Sequence, residues 1–106
     1  MRLRRKPWID EAIKDYADIV RFGPLEELAG RWQEEFGRTA PLYVELGTGK
    51  GRFISGLAER HRDINFIGIE AQQDVLFYAA RKVRDKGLTN VRLLVFDING
   101  ITNIFA

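Results

Sequence analysis

No cysteine occurs among the 106 residues, which excludes a disulfide framework and a thiolate metal site. Histidine occurs once, and His61 reads as a decoration of a helix end rather than a chemical group. No apolar run is long enough to span a bilayer. The basic start, Met1-Arg2-Leu3-Arg4-Arg5-Lys6, is not followed by the apolar core of a signal peptide. The expectation is a soluble, cytoplasmic protein with no membrane partner. Internal repeats and low-complexity segments are lacking. Charge of one sign is also scarce: the net charge of +2 is too small to establish nucleic-acid binding. What remains is 45% hydrophobic and 30% charged, the balance of one small globular domain.

The stretch around which the rest is arranged is Leu42-Tyr43-Val44-Glu45-Leu46-Gly47-Thr48-Gly49-Lys50-Gly51-Arg52-Phe53. It reads as a short strand, a glycine-dense turn and the opening of a helix. Glu45 is the one carboxylate in the strand. Glycine reaches backbone angles closed to other residues and lets a ligand lie against main chain. The helix start offers unpaired N–H groups. A carboxylate, a tight turn and a helix N-terminus thus face one small volume.

Ahead of it, residues 2 to 6 hold four cations, either a solvated terminus or an arm that touches phosphates. Asp10 is a candidate N-cap for a helix whose apolar stripe is Ile9, Ala12, Ile13, Tyr16, Ala17 and Val20. Phe22-Gly23-Pro24 breaks it. Leu25, Leu28, Ala29, Trp32 and Phe36 form a second stripe, which Gly37 ends. Trp8 and Trp32 read as packing residues rather than base-stacking ones. Residues 1–40 are therefore expected to form a basic arm and two helices.

After the turn, Phe53, Ile54, Leu57 and Ala58 give a helix over residues 51 to 61. Asn65 to Glu70 is a second strand, a near-continuous apolar run ending in a carboxylate. Asp74 is placed to cap the next helix. Val75, Leu76, Ala79, Ala80 and Val83 form its buried face, and Arg81, Lys82, Arg84 and Lys86 a basic, solvated one. Asn90 to Asp97 is a third strand, again ending in a carboxylate. Strand, helix, strand, helix, strand is one half of a doubly wound, Rossmann-like α/β sheet over residues 41–106. Right-handed crossovers place the strands in the order 3-2-1. Glu45, Glu70 and Asp97 then share the rim where open α/β sheets bind ligands.

Two cofactors compete for that rim. Dinucleotide sites use Gly-x-Gly-x-x-Gly, but here the last position is Arg52, whose side chain opposes the close helix–strand approach. Glu45 would also repel a pyrophosphate. S-adenosylmethionine has no phosphate. Glu45 can accept from its ammonium, and Gly47, Thr48, Gly49 and Gly51 can meet its carboxylate through N–H groups. Glu70 can accept from both ribose hydroxyls. Asp97 can accept from the adenine amino group, with the Ile98 N–H as a donor and small Ala71 leaving room for the ring. The reading is an S-adenosylmethionine site. A dinucleotide-dependent oxidoreductase and a non-catalytic RNA-binding or dimerising module are the alternatives.

These residues resemble the bacterial tRNA (guanine-N7-)-methyltransferases. Arg5-Lys6-Pro7-Trp8 is similar to that family's N-terminal stretch. Val44 to Phe53, Asn65 to Glu70 and Asn90 to Asp97 resemble its successive cofactor motifs. The resemblance implies a class I methyltransferase acting on tRNA, with Glu45, Glu70 and Asp97 as cofactor-binding acids. It also implies a further half, opening with an acidic-Pro-Trp-Pro motif, that meets the guanine. That motif is not reached by Ala106, so no residue here is assigned as catalytic. The 106-residue chain alone is expected to bind cofactor weakly, if at all, and to lack turnover. An unpaired apolar edge at residues 42–46 is expected to self-associate or to be covered by further chain.

Overall fold

A computed structural model describes residues 6–22 and 30–95. Within them, the sheet has strands β1 (Val20–Phe22), β2 (Leu42–Leu46), β3 (Asn65–Glu70) and β4 (Val91–Val95). All pairings are parallel, in the order β1-β4-β3-β2. The three expected strands therefore lie side by side in the expected 3-2-1 sense. The correction is a fourth strand, β1, on the outer edge of the third. Four helices accompany them in the described residues: α1 (Trp8–Ala12), α2 (Trp32–Phe36), α3 (Arg52–Arg60) and α4 (Gln73–Asp85).

Strand alternation sorts the core onto two faces. Phe66, Val91 and Leu93 point to the face covered by α3 and α4, where they meet Ile54, Ala58, Leu76, Phe77, Ala80 and Val83. Ile67, Ile69 and Leu94 point to the other face, under Trp32 and Phe36 of α2. Burial on both faces is why these strands read as apolar runs.

The N-terminal segment departs from the pattern of its sequence. The stripe from Ile9 to Val20 is not one helix. α1 gives way to a 3₁₀ turn over Ile13–Tyr16, and Val20 begins β1, with Val20, Arg21 and Phe22 aligned to Leu93, Leu94 and Val95. The open edge of β4 offers ladder hydrogen bonds that a longer helix would forgo, and Leu93 N–H donates to Ile19 C=O at 2.8 Å. Ile9, Ile13, Ile19 and Val20 still reach the α3/α4 core. Asp10 does not cap: α1 starts at Trp8 after Pro7, and Asp10 accepts from Gln73 Nε2 at 2.8 Å. Of the second expected helix, residues 23–29 lie outside the described residues. Trp32 is buried as expected, but Trp8 is 53% exposed, its ring edge-on to Phe77.

On the α2 face, Arg21 and Arg92 converge on Glu35, with Arg92 Nε 3.4 Å from the carboxylate and its guanidinium 4.8 Å from the Phe36 ring centroid. Burial pushes the Arg92 pKa below its ordinary value, opposed by the Glu35 charge. This network ties β1 and β4 to α2.

Candidate functional site

β2 and β3 run parallel with Glu45 aligned to Gly68 and Leu46 to Ile69, so Glu45 and Glu70 emerge at the same end of the sheet. Tyr43 of β2 contacts Phe66 of β3 on the α3/α4 face. Two-residue alternation puts Glu45 and Glu70 on that face too. Both are half-buried.

The turn between β2 and α3 is clamped by these two acids. The buried Thr48 hydroxyl donates to Glu45 Oε1. Gly49 N–H donates to Glu70 Oε1 at 3.0 Å, and Gln72 N–H to Glu70 Oε2 at 3.2 Å. Glu70 thereby joins the glycine turn to the start of α4. Each carboxylate oxygen has two lone pairs, so Glu70 retains acceptor capacity for a diol. Thr48 N–H is taken by Ile69 C=O at 2.9 Å and Gly51 N–H by Thr48 C=O at 3.0 Å. The N–H groups of Thr48, Gly49 and Gly51 are thus occupied. Free donors for an anionic group come instead from the first turn of α3, where no side chain caps the helix.

The glycines divide by what surrounds them. Gly47 and Gly49 have φ of +68° and +58°, with nothing within 4 Å of where a Cβ would stand. They border open space. Gly51, φ +78°, is different: a Cβ there would stand 2.6 Å from Ala79 Cβ. Its bareness serves the approach of α3 to α4. Ala71 is exposed in the loop after Glu70. Asp97 and Ile98 lie outside the described residues, as do residues 1–5. Gly47, Thr48, Gly49, Gly51, Glu45, Glu70 and Ala71 are therefore gathered at one rim.

Two contributors were not singled out from the sequence. A Cβ at Gly68 would lie 2.8 Å from Thr48 Oγ1 and 3.0 Å from Leu93 Cδ2, so Gly68 makes the seat for Thr48. A glycine inside an apolar strand was the available signal. Asn90, 3% exposed, places its amide nitrogen 3.0–3.2 Å from the carbonyls of Ala58, His61 and Ile64, which anchors the end of α3. His61 is the C-cap residue of that helix, its N–H donating to Leu57 C=O at 2.9 Å. Among the described residues, no group of three or more His, Cys, Asp or Glu could hold a metal ion, and no helix is long and apolar enough to cross a membrane.

A parallel half-sheet with a glycine turn and two strand-end acids on one rim defines a Rossmann-like ligand-binding domain. Comparison with known proteins narrows the class. A family model described as "Putative methyltransferase" matches residues 39–106. Curated proteins named tRNA (guanine-N(7)-)-methyltransferase align along virtually the whole chain. That of Geobacillus kaustophilus is 48% identical over 106 residues, and that of Bacillus velezensis 45% over 105; the alignments cover 100% and 99% of this chain. The Bacillus subtilis protein is 44% identical over 99% of the chain. The chain spans about half the length of these relatives, 48% or 49%. Among solved structures, an antibiotic-related methyltransferase matches 63% of this chain and 35% of its own, at 31% identity and TM-score 0.55. The plantazolicin methyltransferase BamL, solved with SAH, matches 93% of this chain and 34% of its own, with TM-score 0.51. At 18% identity that likeness concerns the fold alone. The chain belongs to the methyltransferase family whose model matches residues 39–106, and along its whole length it is similar to about half of the bacterial tRNA (guanine-N(7)-)-methyltransferases.

Proposed function

We propose that this chain is the cofactor-binding half of an S-adenosylmethionine-dependent enzyme that methylates N7 of a guanine in tRNA, in the cytoplasm. The observation that carries the reading is the two-acid clamp on an open glycine turn, in a chain whose relatives bear that activity's name. The residues fit the cofactor. Gly47 and Gly49 leave bare main chain facing free volume, and Glu45 and Glu70 favour an ammonium and a diol over a pyrophosphate. Glu45, Gly47, Thr48, Gly49, Gly51, Glu70 and Ala71, with Asp97 and Ile98, are the proposed binding residues, Thr48, Gly49 and Gly51 through the shape of the turn rather than through their occupied N–H groups. The division of roles follows: residues 1–40 supply the arm and lead-in, residues 41–106 the cofactor unit. The boundary is one of role, since β1 joins the same sheet.

When bound, S-adenosylmethionine supplies a methyl group on a cationic sulfur. Guanine N7 presents a lone pair on the major-groove edge and has no proton to lose, so no general base is required of this chain. The task of its residues is to hold. Glu45, fixed by Thr48, and Glu70, fixed by Gly49 and Gln72, are preorganised before any ligand arrives. Such positioning can lower a barrier by about 7–11 kcal/mol in favourable cases. The guanine-holding side belongs to further chain.

The test is transfer of labelled methyl from S-adenosylmethionine to unmodified tRNA by the intact polypeptide, followed by nucleoside mass spectrometry. N7-methylguanosine is the expected product; label on another nucleoside, or none, rejects the assignment. A companion expectation concerns β2, which pairs only with β3 among the described residues and exposes Leu42, Tyr43 and Leu46. The isolated 106-residue chain should self-associate along it. A single monomeric species in sedimentation velocity at micromolar concentration would contradict that.

A further inference from the structure

The basic residues of α4 fall into two groups. Arg84 pairs with Asp18, and Lys86 lies 3.4 Å from Glu59. The side chains of Arg81, Lys82, Lys6 and Lys50 pair with no carboxylate among the described residues; three of them stand at the rings of Phe77 and Tyr78, and Lys82 reaches Lys50. Lys6 Nζ donates to the Tyr78 hydroxyl at 2.9 Å and stands 5.2 Å from that ring's centroid. Lys50 Nζ stands 5.4 Å from the same centroid. Lys82, one turn beyond Tyr78, donates to Lys50 C=O at 3.0 Å. The Arg81 guanidinium lies 5.8 Å from the Phe77 centroid. The neighbouring acid on the helix, Asp74, accepts the Lys6 backbone N–H at 2.9 Å.

We propose that Lys6 and Lys50 at Tyr78, Arg81 at Phe77 and Lys82 beside Lys50 form a docking surface for the RNA phosphate backbone beside the glycine turn. The proposal rests on the tRNA reading above and adds where the substrate lies. Two ammonium groups stand at one ring with no carboxylate partner among the described residues, and the ring is only a weak counter-charge, so an anion here meets uncompensated positive charge. Three separate segments contribute: the N-terminal arm, the glycine turn and α4. An extended polyanion spans them better than a small ion. Aromatic surface decides between RNA and an acidic protein. The exposed ring of Trp8 stands edge-on to Phe77 at 5.5 Å, beside the cations, and a ring among cations suits unstacked bases. Lys50 lies within the turn itself, so a strand held here runs next to Glu45 and Glu70.

The experiment measures tRNA affinity of the intact polypeptide by fluorescence anisotropy across a salt series, with calorimetry against S-adenosylhomocysteine alongside. The triple variant Lys6→Gln/Arg81→Gln/Lys82→Gln should bind at least about tenfold more weakly, with the log–log salt slope lower by about 2. Each single variant should lose about threefold, which keeps the test decisive if the triple variant folds poorly. Lys14→Gln, on the 3₁₀ turn and paired with Glu11, should behave as wild type. Unchanged affinity and slope in the single and triple variants overturn the proposal while leaving the cofactor reading intact. Failure of the wild type to bind S-adenosylhomocysteine overturns the cofactor reading instead. Binding of polyglutamate but not tRNA would give the surface to an acidic protein and also overturn the proposal.

Discussion

The glycine turn at residues 47–51 and the segment at residues 8–22 border the same core, yet they are fixed by different means. The turn is held by individual fits: Thr48 on Glu45, Gly49 on Glu70, Gly51 against Ala79, and Gly68 beneath Thr48. The N-terminal segment is held by bulk. Ile9, Ile13, Ile19 and Val20 enter the core, while α1 has no side-chain cap. At Gly51 and Gly68 such fits tolerate almost no added atom. Burial of the second kind asks only for apolar volume. A site built on the first kind keeps its shape before the ligand arrives.

That contrast is open to breakage by substitution. Gly51→Ala should be the most damaging, since it adds a contact at 2.6 Å to left-handed backbone strain. Overpacking of about 1–3 kcal/mol and strain of about 1–2 kcal/mol make about 2–5 kcal/mol together. Urea unfolding measures it, and a loss below about 1 kcal/mol would remove the distinction. Gly68→Ala comes next, at about 1–3 kcal/mol, because Thr48 and Leu93 must give way. It should also weaken S-adenosylhomocysteine binding, as Thr48 leaves Glu45. Unaltered ligand affinity in a folded variant would detach Thr48 from the site.

Gly49→Ala sharpens the comparison from the other side. Nothing stands near its added methyl, so only strain of about 1–2 kcal/mol is expected in the fold. The methyl projects into the open volume, so ligand affinity should fall by more than stability does. Equal losses would place Gly49 with the structural glycines. Ile9→Val, in the bulk-held segment, should be mildest, at about 0.5–1.5 kcal/mol with no change in ligand affinity. A larger thermal shift than that of Gly68→Ala would show the segment to be as finely fitted as the turn.

The same contrast explains how much was legible in the residues. Strands β2, β3 and β4, the crossover helices and the rim that joins Glu45 to Glu70 follow from local signals: apolar runs, alternating glycines and strand-end acids. The N-terminal segment did not. Ile9 to Val20 carries a helical spacing, but the free edge of β4 recruits Val20–Phe22 as a strand, a tertiary preference that no local window contains. The roles of Gly51 and Gly68 were hidden for a similar reason. Their neighbours Ala79 and Thr48 come from distant positions in the chain. The basic face of α4 reads as solvated and is largely exposed, but no local signal separates Arg84 and Lys86, which find carboxylates on other elements, from Arg81 and Lys82, which do not.

Calorimetric titration of the intact polypeptide with S-adenosylhomocysteine, wild type against Glu70→Ala, is the most direct test of the rim as an adenosyl site. Wild-type binding that disappears in the variant, with the fold retained by circular dichroism, is the predicted result. Equal affinity in the two proteins would contradict it.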